Sequence, residues 1–203
     1  MSKRILVIFA HPRFEASNVN KQLVEQFLGM PEVTVRDLYE LYPDYQIDVQ
    51  AEQKEILQHD IIIWHHPLYW YSAPPMLKLW IDEVLEFNWA YGPRGVFLKG
   101  KIVMNLITAG GSAKAYQATG SNHYSIREFL RPFEQTARLC HMSYLPPFAV
   151  LNSYRQTSKA LQQYKDHLRS LLEAFQQKNF DPASYKDALF MNEQAELLNP
   201  LNK

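Results

Sequence analysis

The stretch Ile5-Leu6-Val7-Ile8-Phe9-Ala10, ended by His11-Pro12, decides the fold. An unbroken apolar run of this length, bounded by a turn signal, reads as a strand covered on both faces, the hallmark of a parallel sheet. Two more such runs follow, Asp60-Ile61-Ile62-Ile63-Trp64 and Lys101 to Thr108. Val33 to Leu38 alternates and reads as a strand nearer an edge, and Ser143 to Leu151 as a last strand made irregular by Pro146-Pro147. Helical spacing fills the gaps. Ser17 to Leu28 carries Val19, Leu23 and Phe27 on one stripe. Asp48 can cap a helix reaching about His59. Pro74-Pro75 opens another, with Leu77, Trp80, Ile81 and Val84 turned inward. Ser125 with Glu128 forms a capping-box pattern, Pro132 predicts a kink or break behind it, and Thr157 to Gln177 is amphipathic.

Five strands alternating with helices imply an α/β protein: a doubly wound, five-stranded parallel sheet with helices on both faces. Residues 1–177 form this domain, and residues 178–203 read as a polar C-terminal extension, a loosely docked arm.

Composition narrows the function. The 203 residues carry 21 Lys+Arg against 21 Asp+Glu, so there is no electrostatic footprint for nucleic acid. The single cysteine, Cys140, can form neither an intrachain disulfide nor a multi-thiolate metal site, which fits a reducing compartment. The apolar run after Lys3-Arg4 is too short for a signal peptide, and no window is long enough to span a membrane. A cytoplasmic protein is the expectation. His65-His66 is no metal motif, because neighbours on a strand point to opposite faces.

Ligands of such sheets bind beyond the carboxyl ends of the strands, at the point where strand order reverses. That rule selects three loops. The first, residues 11–20, has no glycine and is neither a dinucleotide fingerprint nor a Walker loop. It still leads into a helix N-terminus that suits a phosphate, with His11, Ser17 and Asn20 as added donors; taken alone, Ser17 is an ordinary cap. The second, Pro67 to Pro75, places Leu68, Tyr69, Trp70 and Tyr71 where a flat ring system can stack. The third is Thr108-Ala109-Gly110-Gly111-Ser112, whose backbone can approach a ligand closely, although a plain strand-to-helix turn explains it equally. Tyr116 and His123 beyond it are a possible proton relay, or two exposed loop residues.

Together these motifs resemble the NAD(P)H:quinone oxidoreductases of flavodoxin-like fold. The similarity rests on Ala10-His11-Pro12 with Ser17 and Asn20, Ala51-Glu52-Gln53, His66 to Ser72 with Pro75, Leu77-Lys78 and Trp80, and Thr108 to Gly111. Asp37-Leu38-Tyr39, Leu41 to Asp48, Leu130 to Glu134 and Leu145-Pro146-Pro147 are similar to a bacterial branch, the ancillary proteins of glutathione-gated potassium-efflux systems.

The resemblance implies a homodimer with FMN, rather than FAD, near the subunit interface. His11, Ser17, Asn18, Val19 and Asn20 would hold the phosphate. Leu68, Tyr69, Trp70, Tyr71, Thr108, Ala109, Gly110 and Gly111 would hold the ring, and Tyr116 and His123 would be catalytic. It implies ping-pong, two-electron reduction of quinones by NAD(P)H, with no metal. The alternative it implies is a cytosolic regulatory subunit, peripheral at the inner face of the cell membrane, that activates a potassium-efflux transporter. A one-electron flavodoxin fits poorly, because such proteins are strongly acidic and this chain is neutral.

Overall fold

A computed structural model describes residues 2–193. Its sheet runs in the order β2-β1-β3-β4-β5, with β6 also paired to β4, and every pairing is parallel. The strands are β1 (Ile5–Phe9), β2 (Val33–Asp37), β3 (Ile61–Pro67), β4 (Ile102–Thr108), β5 (Ser143–Tyr144) and β6 (Phe148–Val150). The helices are α1 (Asn18–Val24), α2 (Leu38–Leu41), α3 (Val49–Gln58), α4 (Pro75–Val84), α5 (Ile126–Phe129), α6 (Arg131–Leu139) and α7 (Ser158–Phe175).

The sheet has six strands where five were expected, because Leu145-Pro146-Pro147 divides the last one. Ser143 and Tyr144 pair with Ile102 and Val103, and Phe148 to Val150 pair with Leu106 to Thr108. Proline has no N–H to give the ladder, so pairing lapses between them. The fold class is unchanged. A second difference is α2, where a loop was expected. The Asp37 carboxylate accepts from the N–H groups of Tyr39 and Glu40 and starts a helix one residue after the strand. Pro132 acts as expected: α5 ends at Phe129, and α6 begins with the proline in its first turn.

β1 shows why unbroken apolar strands were needed. Ile5, Val7 and Phe9 face α1 and α7, packing with Leu23, Leu168 and Phe175. Leu6, Ile8 and Ala10 face the other layer, with Ile56, Trp80 and Phe133. Strand order reverses between β1 and β3, so the crevice opens beyond Phe9 and Pro67.

One buried ionic group ties the second layer together. Glu52 on α3 is 0% exposed and accepts hydrogen bonds from Arg36, from Tyr42 Oη at 2.6 Å and from Trp80 Nε1 at 2.8 Å. Residues 178–193 pack against the domain. Met191 is fully buried and donates its N–H to the Pro147 carbonyl at 3.0 Å, and Arg127 Nη1 donates to the Ala188 carbonyl at 2.9 Å. Residues 194–203 of the expected extension lie outside the described residues.

Candidate active site

Two adjoining recesses open beyond the carboxyl ends of β1, β3 and β4. The inner one, about 310 Å³, is lined by His11, Arg13, Ser17, Asn20, Tyr69, Thr108, Gly110 and Tyr154, among others. The outer one, about 340 Å³, is lined by Trp70, Tyr71, Gly111, Ala115, Tyr116, Ser121 and Asn122. Leu68 lines both, and Gly110 and Gly111 each line one.

The inner recess is built from donors. The imidazole of His11 is buried, and its Nδ1 accepts the Arg13 N–H at 3.2 Å, which leaves the ring proton on Nε2. Burial holds its pKa below the ordinary value, opposed by an interaction with the residue's own backbone. Ser17 caps α1: its Oγ accepts the Asn20 N–H at 3.4 Å. The first N–H groups of a helix lack intrahelical partners, so those of Asn18 and Val19 are open to an acceptor.

The side chains of that segment point elsewhere. Val19 packs in the core with α7, exposed Asn18 accepts from Gln22 at 3.2 Å, and the amide of Asn20 is only 2% exposed. Asn20 Nδ2 lies 2.8 Å from Ser17 Oγ and 3.1 Å from Thr108 Oγ1, so its donors turn inward.

The outer recess depends on a strained turn. Tyr69 and Ser72 bond to each other in both directions across Trp70 and Tyr71, whose φ angles are 46° and 62°. Two successive left-handed residues make a type I′ turn, which glycine and asparagine normally supply. Holding aromatic residues there costs of order 1–3 kcal/mol each. The turn points Trp70 out to 92% exposure, while Tyr71 stacks on Phe129 at 4.9 Å.

Missing side chains shape the boundary between the recesses. A Cβ on Gly110 would meet Tyr154 Cε2 at 2.7 Å, and one on Gly111 would meet Tyr116 Cε2 at 2.8 Å. Ala109 between them and the strand does not face either recess: it is buried, and its N–H goes to the Val150 carbonyl at 2.9 Å. Tyr116 lines the outer recess, and burial raises its phenol pKa, opposed by the Gly111 backbone N–H.

His123 is not brought to this group. It is exposed, with φ at 60°, and Asn122 takes the place beside Tyr71, with Oη to Oδ1 at 3.4 Å. Sequence reading missed Arg13, Ser153 and Tyr154. The last two stand on the loop after β6, and the carboxyl-end rule applied to that strand would have found them.

The two histidines of β3 face opposite layers. His65 lies beside Phe9 and Asn20, and His66 stacks on Phe133 at 5.4 Å, its Nε2 3.0 Å from Asn105 Nδ2.

Comparison with known proteins fits this geometry. A potassium-efflux ancillary protein, KefF of Klebsiella pneumoniae, is 42% identical over 174 residues, spanning 83% of this chain and 94% of KefF. The solved structure of general stress protein 14 from Treponema denticola in complex with FMN matches with a TM-score of 0.77 and 39% identity, covering 85% of this chain and 97% of that one. An NADPH-quinone reductase from P. pentosaceus matches at 0.76 and 33%, covering 83% and 96%. The model of a family described as having a flavodoxin-like fold matches residues 3–172. With its 2-1-3-4-5 sheet and its crevice at the switch between β1 and β3, this chain belongs to that flavodoxin-like family.

Proposed function

We propose that this chain is an FMN-dependent NAD(P)H:quinone oxidoreductase. The observation that carries the reading is the junction of the two recesses across Leu68 and the Gly110–Gly111 pair. One recess offers donors suited to a phosphate, and the other offers aromatic walls and a phenol suited to a flat ring and its substrate. The FMN complex of the 39%-identical relative and the NADPH-quinone reductase at 33% support it.

FMN bound there would supply hydride chemistry that no side chain of this protein offers. The chain's own residues have distinct tasks. The His11 Nε2–H, the Ser17 hydroxyl and the open amides of Asn18 and Val19 hold the phosphate. Leu68, Tyr69 and the glycine pair take the ring; an added Cβ on either glycine would collide with Tyr154 or Tyr116 and displace a wall of the recess. Tyr116 is protonated at neutral pH as any phenol is, burial moves its pKa further up, and it can hold or pass a proton at its Oη to a bound substrate. Nicotinamide and quinone use the outer recess in turn, which is a ping-pong order. A second copy of the chain would cover the outward Trp70 and complete that recess.

The decisive experiment is the absorbance spectrum of the purified protein before and after anaerobic addition of NADPH and, separately, of NADH. Flavin bands that bleach, and return when a quinone is added, are expected. A protein that takes up no FMN, or holds FMN that neither nucleotide reduces, would exclude the enzyme.

The 42% identity with KefF favours a second, compatible role as an ancillary subunit at the inner face of the membrane, activating a potassium-efflux transporter. No helix of the described residues is long and apolar enough to cross a membrane, so such a subunit would dock on its transporter rather than insert. Loss of quinone reduction in a Tyr116→Phe variant, with transporter activation retained, would separate the two roles. Failure to bind or activate any such transporter would remove the second.

A further inference from the structure

His65 lines neither recess, yet it is bonded to Asn20, which lines the inner one. Its ring is fully buried at the end of β3, 4.8 Å from Phe9 and 5.9 Å from Phe27. Its Nε2 lies 3.0 Å from Asn20 Oδ1, and its Nδ1 has no hydrogen-bond partner among the described residues. An amide oxygen only accepts, so the proton sits on Nε2. Burial holds the His65 pKa well below the ordinary value, which keeps the ring neutral.

That bond, the shorter of two on Oδ1 (the Thr108 hydroxyl lies at 3.4 Å), sets which way the Asn20 amide points. Its two Nδ2 hydrogens then face Ser17 Oγ at 2.8 Å and Thr108 Oγ1 at 3.1 Å. Ser17 Oγ also accepts the Asn20 backbone N–H at 3.4 Å. A hydroxyl has two lone pairs and one proton. Both lone pairs of Ser17 are engaged by Asn20, and its proton has no acceptor among the described residues. The hydroxyl faces the inner recess, so it can only offer a hydrogen there. A phosphate oxygen accepts such a bond with charge assistance, and a neutral sugar alcohol gains less from it.

Resting on the flavin reading above, we infer that His65 is a positioning residue that, through Asn20, presets Ser17 as a donor and makes the inner recess select phosphorylated over unphosphorylated flavin. With an apolar residue at 65, the Asn20 amide loses the shorter bond on its oxygen and can turn over, since Thr108 can pair with either end; its oxygen can then take the Ser17 proton, and the donor is lost to the ligand.

The test titrates flavin-stripped protein with FMN and with riboflavin, following flavin fluorescence, for the wild type, His65→Leu and His65→Gln. Loss of one charge-assisted hydrogen bond weakens FMN roughly tenfold or more in His65→Leu. Riboflavin should change by less than about twofold, because the affected bond is made only to the phosphate. His65→Gln can still donate to Asn20 Oδ1 and should restore the preference for FMN.

Equal weakening of both flavins, or an unchanged FMN affinity in His65→Leu, would overturn the inference while leaving the flavin site standing. A wild type that binds neither flavin would reject the underlying reading before any variant is made. Should His65→Leu fail to fold, nitrogen-15 NMR of the wild-type imidazoles decides the matter. A neutral Nε2–H tautomer for residue 65 between pH 5 and pH 8 supports the mechanism, and an Nδ1–H tautomer or a protonated ring there refutes it.

Discussion

Tyr116 lies against Gly111 so closely that a Cβ on the glycine would stand 2.8 Å from its ring and 3.3 Å from its hydroxyl oxygen. The phenol is therefore placed by the absence of a side chain. Tyr116→Phe should lower quinone turnover on the order of 100-fold while leaving FMN bound, the usual worth of a positioned proton donor. Gly111→Ala should push the ring aside and cost on the order of tenfold in kcat. Steady-state assays with flavin content measured in parallel would check both. Full activity in Tyr116→Phe would remove the phenol from the chemistry.

His123 is exposed and lines neither recess. His123→Ala should keep kcat within about twofold of the wild type, as surface changes away from a site usually do. A large drop in kcat would mean that the 112–124 loop brings His123 inward when substrate binds.

Buried neutral histidines make stability depend on pH. Burial pushes His66 down to about 4, with the bond to the Pro67 carbonyl opposing it, and His65 is lowered well below the ordinary value. In the unfolded chain both protonate near pH 6.5. Below that pH the unfolded state binds more protons, so stability falls by about 1.4 kcal/mol per pH unit for each histidine. For His66 the loss continues until the pH reaches its folded value. Urea unfolding between pH 7 and pH 4.5 should show this decline, and His66→Gln should remove about one histidine's share of the slope. An unchanged slope in that variant would assign the pH dependence to other groups.

Glu52 gathers Arg36, Tyr42 and Trp80 around a carboxylate with no exposure. Glu52→Ala strands a part-buried guanidinium and a buried indole N–H, and should cost about 3–5 kcal/mol in urea unfolding. Glu52→Gln keeps the volume and part of the bonding and should cost clearly less. Equal losses would show that packing, not hydrogen bonding, sets the energy at this position.

Met191 is fully buried against the α7 layer although it lies in the polar C-terminal segment. Met191→Ala should cost about 2 kcal/mol of unfolding free energy, the low end for a core methionine. A loss below about 0.5 kcal/mol, the range of ordinary surface substitutions, would mean that the segment detaches in solution.

Most of the sheet was legible because a strand buried on both faces must be apolar throughout, as Ile5 to Ala10 and Ile61 to Trp64 are. Capping chemistry was equally local: Asp48 and Ser125 each accept the bond expected of them. The loops at the strand ends were found by topology, and His11, Ser17, Tyr69, Thr108 and Gly110 do share one recess. What stayed hidden depends on contacts between distant residues. Nothing near Asn20 says that its amide turns toward His65 and Thr108, and nothing near Tyr154 says that its ring lies over Gly110. The short α2 was missed because its cap, Asp37, also ends a strand. His123 was named for its residue type and rough spacing, and neither reports which way a left-handed loop residue points.

The proline pair that divides the last strand also governs how this molecule meets its neighbours. An outer strand with a free ladder of N–H and C=O groups is a template on which another chain can grow. Here Pro146 and Pro147 have no N–H to offer at the gap. Beyond it, the side chain of Asn192 occupies the rim of β6: Ala149 donates its N–H to Asn192 Oδ1 at 3.0 Å, and Asn192 Nδ2 donates to the Ala149 carbonyl at 3.3 Å. One side-chain amide thus stands in for a neighbouring strand. This border of the sheet is closed to recruitment of further copies, and the outer strand that keeps a free ladder side is β2, at the opposite edge.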